Sequence, residues 1–198
     1  DRTAKPGLLA HLEGGGLFRM DAIKPFGFFP DRNLHAFEEL DLGLRLTAAG
    51  WRLRRLNLPS VYHYGHSIAA FPLLLQRWHT GYLRGHGELL RSKWGTDLRW
   101  RCVRGARLSF AAILWWIVLL ALLAGTFISP FPAICGGALA VALLGPALVQ
   151  SLRKDSFAMG LYSIALINFH AAGLLAGLFA RRVDPKQPID STIRHSGT

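Results

Sequence analysis

Cysteine is scarce in this chain. Cys102 stands in a basic stretch and Cys135 in an apolar one, which excludes a disulfide framework and any Cys-x-x-Cys metal motif, and nothing requires an oxidising compartment. Acidic residues are few as well: 12 Asp and Glu against 23 Lys and Arg leave a net charge of +11. That basicity suits nucleic acid or an anionic membrane surface, and the position of the charges decides between them. From Leu108 to Leu152 charge is missing altogether, with no Asp, Glu, Lys, Arg or His. Since one membrane span takes about 20 apolar residues, this run predicts two, near 108–128 and 132–152, divided at Ser129-Pro130-Phe131-Pro132. A third is predicted over 158–180, where Asn168 and His170 are the strongly polar residues and one is expected to face a partner helix. The chain opens at Asp1, without an initiator Met, a signal peptide or a strand–helix repeat ahead of its first motif, and reads as a piece of a longer protein.

Ahead of the first span, residues 68–107 mix aromatics with arginine. Arg77, Arg84 and Arg91 recur every seven residues, with Leu74, Trp78, Tyr82 and Leu89 near the opposing side, and Gly81, Gly85 and Gly87 argue for two short interfacial helices rather than one long one. Arg84, Arg91, Lys93, Arg99, Arg101, Arg104 and Arg107 face only Glu88 and Asp97. An apolar span follows at once, so this is a juxtamembrane basic cluster: the partner is membrane lipid and not nucleic acid. The cluster and Arg153-Lys154 both argue for the cytoplasmic side, and three spans then put Arg181-Arg182 outside, against the positive-inside rule. Residues 181–198, with Pro185 and Pro188, read as a flexible tail.

The most informative stretch is Phe37-Glu38-Glu39-Leu40-Asp41-Leu42-Gly43-Leu44-Arg45-Leu46-Thr47-Ala48-Ala49-Gly50-Trp51. Leu40, Leu44 and Ala48 recur at helical spacing, Leu42, Leu46 and Ala49 widen the stripe, and Gly50 stands where a left-handed residue would end a helix. Asp41 and Arg45 are one turn apart and can pair. Glu38 and Glu39 fall in the first turn, where free N–H groups and the helix dipole favour ionised carboxylates. The bland account is a charge cluster that stabilises a helix start; the sharper one is a set of proton acceptors. Around it, Leu8 to Leu12 reads as a buried edge strand, Gly14 to Gly16 as a turn able to approach a ligand closely, Asp21 to Lys24 as a helical turn closed by Pro25, and Arg52 to Leu56 as an amphipathic strand.

The acidic run with Ala49-Gly50-Trp51 resembles the acidic motif of family 2 glycosyltransferases, Glu-Asp-x-Asp-Leu-x-x-Arg followed by Ala-Gly-aromatic, with Glu39 in place of the usual Asp. Gly14-Gly15-Gly16-Leu17-Phe18-Arg19 is similar to the family's Gly-rich strand end, Phe26-Gly27-Phe28 to its Gly-Gly-Phe turn, and Pro59 to Ser67 to its closing strand with a histidine, so the resemblance covers residues 12 to about 95 in the family's order. It implies an α/β fold: residues 1–67 as the acceptor-side half of a GT-A glycosyltransferase domain, 68–107 as an interfacial segment and 108–180 as transmembrane helices. It implies a membrane-anchored inverting transferase that moves a sugar from a nucleotide-sugar donor to a lipid-linked or membrane-proximal acceptor. The catalytic candidates are Glu39, Glu38 and Asp41; Gly15, Gly16, Arg19, Arg45 and Trp51 would bind substrate. His63 would assist a divalent Mn²⁺ or Mg²⁺ held mainly by an Asp-x-Asp motif in the donor-binding half, a motif this sequence lacks. Localisation would be the inner (cytoplasmic) membrane, multi-pass, with the catalytic domain on the cytoplasmic side. Gln76-Arg77-Trp78 resembles the Gln-x-x-Arg-Trp motif of processive synthases, but Leu74 stands where that motif has Gln, which favours transfer of a single sugar. The competing readings are a non-catalytic membrane subunit or inactive fragment, and a helical transporter component, which would call for charged or broken spans.

Overall fold

A computed structural model describes residues 6–12, 16–58 and 68–188. Gly14 and Gly15, the strand read over Pro59 to Ser67 with His63, and residues 189–198 of the tail lie outside the described residues. The chain forms two compact units: residues 6–12, 16–34, 38–58 and 181–188 make the first, and 35–37 with 68–180 the second.

The first unit holds β1 (Gly7–Leu9), α1 (Met20–Ile23), a 3-10 turn at Lys24–Phe26, α2 (Glu38–Ala48) and β2 (Leu53–Arg55). β1 and β2 pair antiparallel with Leu8 opposite Arg54 and Leu9 opposite Leu53, the one sheet among the described residues. Leu53 is buried while Leu8 is 71% exposed, so the edge strand expected to be buried is shorter and open on one face. Two three-residue strands have only one face to offer a core. That core is Leu42 and Leu46 of α2 with Ala22 and Leu53, packed by Leu9, Leu12, Phe18 and Phe26. Leu42, Leu44 and Leu46 are the buried leucines of α2, so Leu44 is buried as expected while the stripe turns away from Leu40, which is half-buried, and from Ala48 and Ala49, which are exposed. Gly43 explains the rotation, because a Cβ there would stand 2.7 Å from the Leu12 backbone nitrogen, so the chain from β1 crosses α2 at this point. At the other end, Trp51 N–H bonds to the Leu46 carbonyl and Gly50 N–H to Thr47, with Gly50 at φ 85°, the Schellman ending expected of a glycine here.

Residues 181–188, read as the start of a flexible tail, are instead held. Asn33 donates Nδ2 to the Val183 carbonyl (2.8 Å) and accepts the Val183 N–H (2.7 Å), and buried Asp31 aims it by accepting both Asn33 N–H and Nδ2. Arg32 reaches the Gln187 carbonyl, and the Lys186 stem lies on Gly27.

The second unit contains α3 (Ala70–His79), a 3-10 turn at Tyr82–Arg84, α4 (Gly85–Ser92), α5 (Arg99–Gly105), α6 (Arg107–Ile128), α7 (Pro132–Arg153) and α8 (Phe157–Phe179). The last three are long and apolar enough to cross a membrane and match the three expected spans closely. The α6 and α7 surfaces are almost wholly uncovered, whereas α8 is the most enclosed. α3 runs along α8, with Phe71 on Tyr162 and Trp78 on Phe169. Two short helices stand here as expected: Gly81, at φ 80°, follows the end of α3, Gly85 opens α4, and Gly85 and Gly87 also permit close packing. Gly87 faces the Leu174 carbonyl, and Gly177 of α8 faces the Arg84 carbonyl, in each case closer than a Cβ allows. Asn168 accepts from Trp116 of α6, and His170 meets His86 of α4, so both polar residues of the third apolar helix face partner helices. Arg91 donates to the Ala180 carbonyl at the C-terminal end of α8, where a cation also meets the favourable pole of the dipole.

Gly177→Val is expected to lower the melting temperature of the detergent-solubilised protein by several degrees, since forcing side-chain atoms into a closed contact costs about 1–3 kcal/mol. Gly136→Ala, whose Cβ would meet only Thr126 Cγ2 at 3.9 Å, should leave it unchanged. Differential scanning fluorimetry on the pair checks this.

Candidate functional site

The acid-headed helix begins where expected, with Glu38, Glu39 and Asp41 in its first turn. Phe37, just ahead of it, has φ 68°, a left-handed conformation that costs a bulky residue about 1–2 kcal/mol. The three carboxylates occupy different environments. Asp41 is buried and pairs with Arg45 (Nε to Oδ2, 2.8 Å), the side chains being 2% and 11% exposed. Glu38 is half-buried, and its Oε2 is shut away from water with no hydrogen-bond donor among the described residues. Glu39, also half-buried, has no such closed-off oxygen and no hydrogen bond or ion pair among the described residues. A carboxylate that is reachable and unpaired is the one able to take a proton from an incoming group.

Arg45, expected to touch substrate, is committed within the chain. Beyond Asp41 it donates Nη2 to the Phe29 carbonyl (2.6 Å) and Nη1 to that of Phe28 (3.4 Å), and its guanidinium lies over the Phe28 ring at 4.4 Å and the Phe26 ring at 5.0 Å. It fastens the Phe26–Phe29 loop onto α2, with Phe29 edge-on to Phe18 at 5.5 Å. Asp41→Asn therefore leaves an arginine charge uncompensated at a nearly closed site. Breaking such a pair typically costs about 3–5 kcal/mol, so this variant is expected to unfold at clearly lower denaturant, measurable by fluorescence in urea.

The structure brings Arg19 and Trp51 together, the guanidinium 5.6 Å from the indole centroid. Both are open to solvent, and Arg19 has only a loose exposed contact with Asp21 at 3.9 Å. A flat indole face beside an uncommitted cation can stack on a sugar ring and meet a phosphate. A Cβ at Gly16 would meet the Phe18 ring at 3.4 Å. For the divalent ion, no group of three His, Cys, Asp or Glu able to hold a metal occurs among the described residues. His63, the residue expected to assist the ion, lies outside the described residues.

The second unit carries a polar cluster that the sequence did not single out. Glu88 of α4 is 1% exposed and accepts from His35 twice, from the backbone N–H at 2.9 Å and from Nδ1 at 2.8 Å. His86, 4.2 Å from the Phe37 ring, has its pKa pushed down to about 4 by burial and, second, by neighbouring His170, which keeps it neutral near pH 7. Asp31-x-Asn33 also went unnoticed; its Asx-turn pattern is visible in the sequence, but its partner is not. Compared with protein-family models, characterised proteins and solved structures, the chain matches none.

Proposed function

We propose that this chain is the acceptor-side part and membrane anchor of an inverting family 2 glycosyltransferase with a GT-A catalytic domain, acting from a nucleotide-sugar donor on a membrane-proximal acceptor. The observation that carries the reading is the division of labour in the first turn of α2. Asp41 is locked by Arg45, while Glu39 stays unpaired and reachable. In the reaction, the Glu39 carboxylate takes the acceptor hydroxyl proton as that oxygen attacks the anomeric carbon. The bond from that carbon to the nucleotide's phosphate oxygen breaks, its electron pair leaves with the nucleoside diphosphate, and the configuration inverts. Trp51 offers a stacking face for the sugar, and Arg19 a charge for the diphosphate. Asp41, Arg45 and the Phe26–Phe29 loop hold the helix in place.

Three candidate spans support membrane anchoring. For orientation, the bonds between Asn33 and Val183 favour an even number of crossings. We read α6 and α7 as the crossing hairpin and α8 as a helix that does not complete a third. The pre-α6 cluster, Arg153-Lys154 and Arg181-Arg182 then share the cytoplasmic side, and the conflict with the positive-inside rule disappears.

The test is sugar transfer by membranes containing the full-length protein, supplied with a panel of radiolabelled nucleotide sugars. Label entering the organic-extractable lipid fraction, and lost in Glu39→Gln, supports the reading. No transfer from any donor, with the protein folded, overturns it.

A further inference from the structure

Just before α6, the turn after α4 and the short α5 form an open cleft of about 300 Å³ lined by Trp94, Gly95, Arg99, Trp100 and Val103. Gly95, at φ 86°, makes the turn, and Thr96 closes it by bonding its N–H and hydroxyl to the Lys93 carbonyl. α5 is seated through buried Cys102, with buried Ala106 just beyond its end, which leaves Trp100 57% exposed beside Trp94 at 70%. In the same lining, the Arg99 guanidinium lies 5.3 Å from the Trp100 ring and has no carboxylate partner among the described residues. Asp97, itself exposed, is the one carboxylate between residues 93 and 107.

We propose that this cleft seats the phosphate of an anionic phospholipid in the leaflet that α6 enters. Four observations select this occupant. The last lining residue, Val103, precedes the first residue of α6 by about one helical turn, ~6 Å of rise, which puts the cleft at headgroup depth if α6 crosses. Two largely exposed tryptophans are costly in water and favoured at that depth, where one edge is apolar and the other wet. An unpaired guanidinium stacked on an indole is held in place for a phosphate, which it can bind through two N–H donors. Exposed Arg101, Arg104 and Arg107 set a positive field around it, which selects a lipid of net negative charge over a zwitterionic one whose ammonium they would repel. The inference rests on the membrane reading and is independent of the transferase chemistry.

The experiment is native mass spectrometry of the full-length protein in detergent, titrated with phosphatidylglycerol or phosphatidylcholine. Arg99→Gln is compared with Arg101→Gln, whose side chain is off the cleft. The expected result is a tightest-bound phosphatidylglycerol that phosphatidylcholine does not replace and that Arg99→Gln weakens about fivefold, the order given by one arginine's attraction to an anionic headgroup. Arg101→Gln should change it less than about twofold, and Trp100→Leu should weaken it as Arg99→Gln does. Equal losses in the two arginine variants would show diffuse charge attraction and overturn the seat. Equal retention of phosphatidylcholine would overturn the charge selection, and displacement by millimolar glycerol phosphate would identify a soluble-anion site instead.

Discussion

Glu39→Gln in the full-length protein is expected to lower kcat about 10²–10⁴-fold, the usual loss when a general base is removed, with donor affinity nearly unchanged. The amide is isosteric and the residue has no structural partner among the described residues, so the fold should survive and the loss should fall on the chemical step. Glu38→Gln is the informative comparison. Its Oε2 is closed off from water and from any donor, and an unsatisfied buried oxygen costs about 1–3 kcal/mol. A neutral amide at that position is less costly to bury, so this variant should keep most of its turnover and melt no lower than the parent. Steady-state kinetics with the melting curves separates the two residues. If Glu38→Gln lost turnover in a well-folded protein while Glu39→Gln kept it, the base would be Glu38 and the buried oxygen would be the acceptor's landing point.

What was legible in the sequence was what short-range chemistry decides. Both ends of α2 could be read because a carboxylate-rich first turn and a left-handed glycine act on the adjacent backbone, and the Asp41–Arg45 pair could be read because one helical turn brings them together. The direction of the helix could not. Leucines at 40, 42, 44 and 46 offer more than one apolar face, and the choice fell to a contact with Leu12 that Gly43 alone permits. The second role of Gly85 and Gly87 was hidden for the same reason: the glycines predict a break between two short helices, and only the fold shows a second backbone using the space beside Gly87. Arg45 carries a charge that any ligand could use, and only the fold shows the Phe28 and Phe29 carbonyls taking its donors. The hold of Asn33 on Val183 joins residues 150 positions apart, beyond the reach of any periodicity or spacing argument.

That hold leads to the all-or-none expectation about membrane topology. With three crossings, Val183 would stand across about 30 Å of hydrocarbon from everything that precedes α6, yet it is bonded to Asn33 at 2.7 and 2.8 Å. Among the described residues, no helix between Asn33 and α6 is long and apolar enough to cross, and the topology we propose has an even number of crossings after it. In that topology α8 is the helix that does not cross. α3, the Tyr82–Arg84 turn and α4 pack against it, and carrying Arg77, Arg84 and Glu88 into the bilayer would cost about 2.5–3.5 kcal/mol per charge on insertion scales. In a cysteine-free background of the full-length protein, Ser129→Cys, Lys154→Cys and Pro188→Cys report the three relevant segments. In intact cells, a membrane-impermeant maleimide should label Ser129→Cys and spare the other two until the membrane is opened. Labelling of Pro188→Cys from outside would establish three crossings, and protection of Ser129→Cys would show that even the α6–α7 hairpin does not cross.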